Sequence, residues 1–175
     1  MKFQKREKFL PFCIPTIEEE EINNVVDTLE SGWITTGPKV KEFEESFCIY
    51  QNTSNAIALT SATAGLHLAL LTLNLKPDDE VITPSMSWVS AANMIELTGG
   101  KTVFCDVDPS TFQIDLIDVK NKITKNTKAL IPVHFAGQPY DIDGINELLR
   151  ETDIVIIEDA AHAIGTKYKG RFIGN

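Results

Sequence analysis

Apolar residues in the first fifty positions recur at helical spacing, and those beyond position 55 gather into short runs. Ile22, Val25, Val26 and Leu29 lie three or four apart, and Thr16-x-x-Glu19 has the form of a capping box. The first predicted element is therefore an amphipathic helix stopped at Ser31-Gly32. SGWITTGP (31–38), with two glycines, a proline and Trp33, reads as a loop, after which Val40, Phe43 and Phe47 restore the helical period over 39–50. From Ala56 onward AIALT, EVITP, KTVFCDV, KALIPVHF and DIVIIED read as strands. The windows 63–75, 88–97, 116–123 and 142–150 between them suit helices. Five strands alternating with helices predict an α/β fold with a mainly parallel sheet covered on both faces, its ligand at the carboxyl ends of the strands. After DIVIIED the run AAHAIGTKYKGRFIGN carries a hairpin signal and no closing helix, so the expectation is an unfinished domain.

Composition narrows the classes. With 175 residues the chain suits one domain and excludes two large ones. Its 25 acidic against 16 basic residues leave a net charge of −9, without the basic footprint that binding a phosphate backbone requires. Nucleic acid is not an expected partner. At 43% hydrophobic and 23% charged residues, disordered, collagen-like and coiled-coil readings fall away. Cys13, Cys48 and Cys105 form neither a disulfide framework nor a zinc spacing, which fits a reducing cytoplasm. The basic start MKFQKREKFLPFCIP is cut by Pro11 and Pro15 and is not read as a signal peptide. No apolar run approaches the roughly 20 residues of a membrane span.

Four stretches could carry chemistry. SATAGLH (61–67) follows AIALT and opens a helix; small residues, two hydroxyls and a helix N-terminus could cup a phosphate, or Ser61 or Thr63 could simply cap the helix. EDAAHA (158–163) places Glu158 and Asp159 at the end of an apolar strand, with His162 three residues on. A carboxylate there can pair with a protonated heterocyclic nitrogen and an imidazole can donate to a phenolic oxygen, both of which pyridoxal phosphate requires. The plainer alternative is that Asp159 caps a helix starting at Ala160 and His162 is half-buried packing. In PSMSWVSAANM (84–94) Trp88 could stack on a flat ring or sit in the core, and in PVHFAG (132–137) His134 could face the same cleft or be structural. His67 is assigned to packing. Neither G-x-G-x-x-G nor the P-loop pattern occurs, and the three histidines have no metal-ligand spacing.

Taken in order, SGWITTGP, SATAGLHLAL, DEVITPSMSWVSAANMI, CDVDPSTF, ALIPVHFAGQPYDID and IVIIEDAAHAIGTKYKGRFIG resemble the DegT/DnrJ/EryC1/StrS family of pyridoxal-phosphate sugar aminotransferases. The resemblance runs from Phe9 nearly to the end, and several stretches look like the branch that makes UDP-4-amino-4-deoxy-L-arabinose. It implies the amino-terminal part of the large domain of the aspartate-aminotransferase type (fold type I). Residues 1–55 would be a helical segment with a substrate loop and 56–175 an incomplete cofactor-binding domain, with the C-terminal small domain absent. Ala62 and Thr63 would hold the phosphate of pyridoxal 5'-phosphate, Trp88 would stack on its ring, Asp159 would pair with the pyridinium nitrogen and His162 would lie near the phenolic oxygen. Trp33, Ile34, Thr35 and Thr36 would line the sugar-nucleotide side.

The implied reaction takes an amino group from glutamate and delivers it to a UDP- or other nucleotide-linked keto sugar for surface polysaccharide. The implied enzyme is a cytoplasmic homodimer. In the family the Schiff-base lysine stands in an S-F-H-x-x-K segment; Lys167 and Lys169 lie in the preceding TKYKG hairpin and do not match it. The expectation is therefore weak cofactor binding and no turnover by this polypeptide alone. Two other readings stay open: a pyridoxamine-dependent sugar dehydratase of the same family, with histidine in place of that lysine, and a non-catalytic remnant or half-domain that pairs with a second polypeptide.

Overall fold

The computed structural model describes residues 6–11 and 13–174, which divide into two compact units, Met1–Phe43 and Glu44–Asn175. The first unit contains helix α1 (Glu19–Glu30) and the start of α2 (Pro38–Gln51). The box at the start of α1 is not Thr16-x-x-Glu19: the Glu21 carboxylate accepts from the Glu18 N–H at 2.7 Å, so the cap falls two residues later. The apolar stripe of α1 is present in the expected register, but Ile22, Val25, Val26 and Leu29 are all exposed.

The second unit is a parallel sheet between two helical layers. Its elements are α3 (Ala62–Thr72), β1 (Glu80–Pro84), α4 (Ser90–Leu97), β2 (Lys101–Cys105), α5 (Leu116–Lys122), β3 (Thr127–Leu130), α6 (Ile142–Leu149) and β4 (Val155–Ile156). A hairpin of β5 (Lys167–Tyr168) and β6 (Arg171–Phe172) follows. The four strands β1 to β4 pair in parallel in the order β2-β1-β3-β4. AIALT is not a strand, so the expected five are four. Ile57 and Leu59 are exposed, and the Ala58 N–H donates to the Glu44 carboxylate at 2.8 Å instead of entering a ladder.

Because successive strand residues face opposite ways, the sheet divides its apolar positions between two cores. Val81, Ala129 and Ile131 pack with Leu66 and Leu70 of α3 and with Ala91 and Ile95 of α4. Ile82 and Leu130 pack with Cys105, Val119 of α5, Tyr140, and Ile145 and Leu149 of α6. Every residue of β1 is buried, the expected signature of a central parallel strand. Burial also pushes the Cys105 thiol up to about 12.

The expected strands are longer than those observed. β2 ends at Cys105, with Val107 turning to an antiparallel bridge with Ile114, and DIVIIED contributes only Val155 and Ile156 to a regular ladder. The helical windows from 116 and from 142 match α5 and α6 closely, since Asp115 and Asp141 cap their first turns.

Glu80, buried at the start of β1, accepts from the Thr124 hydroxyl at 2.6 Å and from Lys101 Nζ at 3.3 Å. The Thr124 hydrogen bond, with Lys101 in support, holds its carboxyl below the ordinary 4.5 despite burial. A depressed carboxylate stabilises the fold above its unfolded value and loses that contribution as pH falls through the folded one. Glu80→Gln is therefore expected to cost about 1 kcal/mol near neutral pH. Urea unfolding of both proteins between pH 7 and pH 3 checks this: the gap should close below the carboxylate range, and a constant gap would contradict the assignment.

Candidate functional site

The path of the chain through the sheet locates a crevice. From central β1 it moves outward to β2, then returns across β1 to β3, so the direction of winding reverses between β1 and β3. In open α/β sheets the ligand crevice opens at the carboxyl ends of the strands flanking such a reversal. Here those ends carry the loop 85–89 after β1, the segment 131–137 after β3 and the segment 157–163 after β4. Thr83 Oγ1 donates to the Ile131 carbonyl at 3.2 Å, fastening the two flanking strands at this edge.

Helix α3 points its N-terminus at the same edge. Its C-terminal end meets that of α4, where Leu75 packs against Gly100, and α4 descends from the carboxyl end of β1, so the two helices run side by side with both N-termini at the crevice. Ser61 caps α3, its Oγ accepting from the Ala64 N–H at 3.2 Å. The capping alternative is therefore correct for Ser61. It leaves the Ala62 and Thr63 N–H groups without an acceptor among the described residues, facing outward at the positive end of the helix.

Asp159 lies on the same face of the sheet as α3 and α4. Ile154 and Ile156 pack into the α5/α6 core and Ile157 into the α3/α4 core, so alternation puts Glu158 with the former and Asp159 with the latter. Asp159 is only 6% exposed, and its Oδ1 accepts from the Ala161 N–H at 3.2 Å in a turn, not at the start of a helix. His162 is exposed, three residues on. Trp88, which the expected helix window 88–97 included, instead precedes α4 in the loop after β1, and it is 75% exposed. Together with Ser87 and Phe104 it lines a small cavity of about 150 Å³. Trp88 is thus an open aromatic surface, and the core alternative fails.

His134 is wholly buried, as the structural alternative requires, but it is tied to the site by a pairing that spacing did not show. Its Nε2 lies 2.8 Å from Glu158 Oε2, and its ring stacks on Tyr140 at 4.6 Å between centroids. The nearby Glu158 carboxylate and, above all, burial push the Tyr140 phenol upward. Gln113, also missed, turns its buried amide toward the Val133 and Gln138 carbonyls and so braces the segment after β3. Strand parity was the signal available for Glu158; nothing local marks Gln113.

The loop 31–38 belongs to the other unit. Trp33 is 57% exposed, its Nε1 donates to the Thr36 carbonyl at 3.0 Å, and its ring lies so close over Gly37 that a Cβ there would meet Nε1 at 2.2 Å. Ile34, Thr35 and Thr36 are exposed beside it. Trp33, Ile34 and Thr35 line a pocket of about 400 Å³ with Asp27, Thr28 and Lys39. Among the described residues no group of acidic, histidine or cysteine side chains gathers to hold a metal, and no helix is long and apolar enough to cross a membrane.

This edge of a doubly wound α/β domain thus combines a helix N-terminus, a buried strand-end carboxylate and an open indole, groups chemically suited to an anionic, ring-bearing ligand. Residues 15–175 match the DegT/DnrJ/EryC1/StrS aminotransferase family, and the chain belongs to it. The chain is 53% identical over 167 residues, 95% of its length and 43% of the relative's, to the UDP-4-amino-4-deoxy-L-arabinose–oxoglutarate aminotransferase of Shewanella sediminis. Among solved structures it is similar to the putative sugar aminotransferase Spr1654 from Streptococcus pneumoniae in its PMP form, at 40% identity and TM-score 0.90 over 95% of this chain and 46% of that one. A GDP-4-keto-6-deoxymannose-3-dehydratase follows at 27% identity and TM-score 0.90, covering 94% and 44%. The fold is that of the first part of the large domain of these enzymes, and the chain spans under half the length of each relative.

The Trp33–Gly37 contact is testable on its own. Gly37→Ala, in a Trp88→Phe background so that Trp33 alone reports, should force the indole off the loop and cost the Nε1 hydrogen bond, worth about 1 kcal/mol. Trp33 emission should shift to the red and become more accessible to acrylamide. An unchanged spectrum would remove the proposed close packing.

Proposed function

We propose that this chain forms the amino-terminal part of a pyridoxal-phosphate-dependent aminotransferase that moves an amino group from glutamate to a nucleotide-linked 4-keto sugar for surface polysaccharide. The observation carrying the reading is the placement of Asp159, a buried carboxylate on the same face and edge of the sheet as the unpartnered N–H groups of Ala62 and Thr63. These groups suit the two ends of the cofactor: hydrogen-bond donors and a helix dipole for its dianionic phosphate, a carboxylate for its ring nitrogen. Pyridoxal 5'-phosphate, when bound, supplies the electron sink that lets an amino group pass between an amino acid and a carbonyl.

The protein's own part is to bind and orient. Ala62 and Thr63 would hold the phosphate, and the Thr63 hydroxyl adds a further donor. Trp88 would cover one face of the ring and exclude water from it. The Asp159 carboxylate would keep the ring nitrogen protonated, and its burial strengthens that pairing relative to a solvated one. His162 would stand at the side of the phenolic oxygen. On the amino-terminal unit Trp33, Ile34, Thr35 and Thr36 would meet the sugar nucleotide. The working form would be a cytoplasmic homodimer.

Two lysines of the hairpin are already engaged. Lys169 pairs with Asp143, and Lys167 lies over the Phe172 ring at 4.5 Å from its centroid, so neither is offered as the lysine that carries the cofactor. Transfer is preferred over dehydration because the aminotransferase relatives stand at 53% and 40% identity and the dehydratase at 27%.

The test is a titration of the purified chain with pyridoxal 5'-phosphate, read by absorbance and by quenching of Trp88 in a Trp33→Phe background. Binding should quench Trp88, and Asp159→Asn should weaken it about tenfold, or about 1.4 kcal/mol. Equal affinities for the two proteins would overturn the role of Asp159. Amination of a UDP-linked 4-keto sugar by the isolated 175-residue chain would overturn the expected inactivity.

A further inference from the structure

Beyond the residues that would touch the cofactor, the pair of buried His134 and half-buried Glu158 on the opposite face of the sheet bears on which carboxylate is presented. Two acidic residues, Glu158 and Asp159, are consecutive at the end of β4, and alternation sends them to opposite faces. The regular ladder is short: β4 pairs with β3 through Val155 and Ile156, and beyond it the pairing is carried by the Ile157 N–H donating to the Leu130 carbonyl at 3.0 Å and by an isolated bridge between Val133 and Asp159. This segment carries apolar residues on both faces, Ile154 and Ile156 on one and Ile157 on the other, so the hydrophobic pattern discriminates little between registers, and a slip of one residue exchanges the faces of every side chain on it. Such a slip would turn Glu158 toward α3 and α4 and take Asp159 away.

His134 opposes that slip. It follows Val133, on the partner segment. Its backbone N–H donates to the Asp159 carbonyl at 3.0 Å, and the Asp159 N–H donates to the Pro132 carbonyl at 2.9 Å. His134 Nε2 and Glu158 Oε2 meet at 2.8 Å, and the tautomer with its proton on Nε2 donates across this contact. The ring is 0% exposed and clamped against Tyr140, while its Nδ1 has no hydrogen-bond partner, so the Glu158 contact is the ring's one polar tie among the described residues.

We infer that His134 is a positioning residue: by capturing Glu158 on the α5/α6 face it pins the end of β4 in register and leaves Asp159 as the carboxylate presented to the α3/α4 face. The purpose of this arrangement rests on the reading of Asp159 as the partner of the cofactor ring, but the pinning itself does not.

Two measurements on the full chain separate these. Amide hydrogen exchange is followed at Asp159 and Ala161, with Ile131 as the core reference, in the natural protein, His134→Leu, His134→Gln and Glu158→Leu. The Leu variants should lose at least tenfold protection at Asp159 and Ala161 relative to Ile131. His134→Gln, which keeps a donor near the Nε2 position, should retain it. Pyridoxamine 5'-phosphate labelled with ¹⁵N at its ring nitrogen is then added, and in the Leu variants, unlike the Gln variant, its resonance should move away from the protonated position. Glu158→Leu serves if His134→Leu does not fold.

Exchange at Asp159 and Ala161 that changes only in step with Ile131 overturns the inference. A Gln variant as impaired as the Leu variants does the same. If the exchange pattern holds and the natural protein does not bind the labelled cofactor, the register role stands and the cofactor reading of Asp159 falls.

Discussion

The second unit depends on the burial of β1 on both of its faces. Val81 and Ile82 are each fully inaccessible and point in opposite directions, one into the α3/α4 layer and one into the α5/α6 layer. Removing either side chain back to alanine would leave a cavity on one side of the strand that pairs with both β2 and β3, at a cost of about 2–5 kcal/mol. Because β1 is central, the winding must reverse beside it, and the crevice follows from that reversal.

The edge of the sheet is built by pairs of contacts that face opposite ways. On one face the start of α3 presents two N–H groups that have no acceptor among the described residues, and the segment after β4 presents the Asp159 carboxylate. On the other, buried His134 and Tyr140 and half-buried Glu158 form a polar cluster at the edge of an apolar layer. A buried imidazole against a half-buried carboxylate costs desolvation, and the structure offsets it with a direct hydrogen bond and ring stacking. That cost has a use if it holds a short strand in place. The hairpin β5/β6 is fastened to the same unit through Tyr50 and Phe172, whose ring centroids are 5.1 Å apart, and through Gln51 Nε2 donating to the Ile173 carbonyl. Chain leaving the sheet edge therefore returns to a fixed position.

Periodicity located the helices well because their apolar stripes and caps are local. It overstated the strands. AIALT has the composition of a strand, yet a strand exists only where another backbone supplies partners, and Glu44 satisfies Ala58 instead. The stripe on α1 is as regular as any in the chain, and its residues are exposed in its own unit. Spacing indicates that a helix has an apolar face but not what covers it.

The sequence by itself determined the helices, the central β1 and, through the ordered set of motifs, the family. These depend on residue type at short range: caps, periods and runs of β-branched residues. Tertiary structure decided which strands have partners, that the Trp88 ring stands open and that His134 belongs to Glu158, 24 residues away. It also decided that Asp159, not its neighbour, turns toward the N-terminus of α3. The physical reason is that pairing and facing are settled by contacts between segments distant in sequence, and no local pattern carries the register of one strand against another.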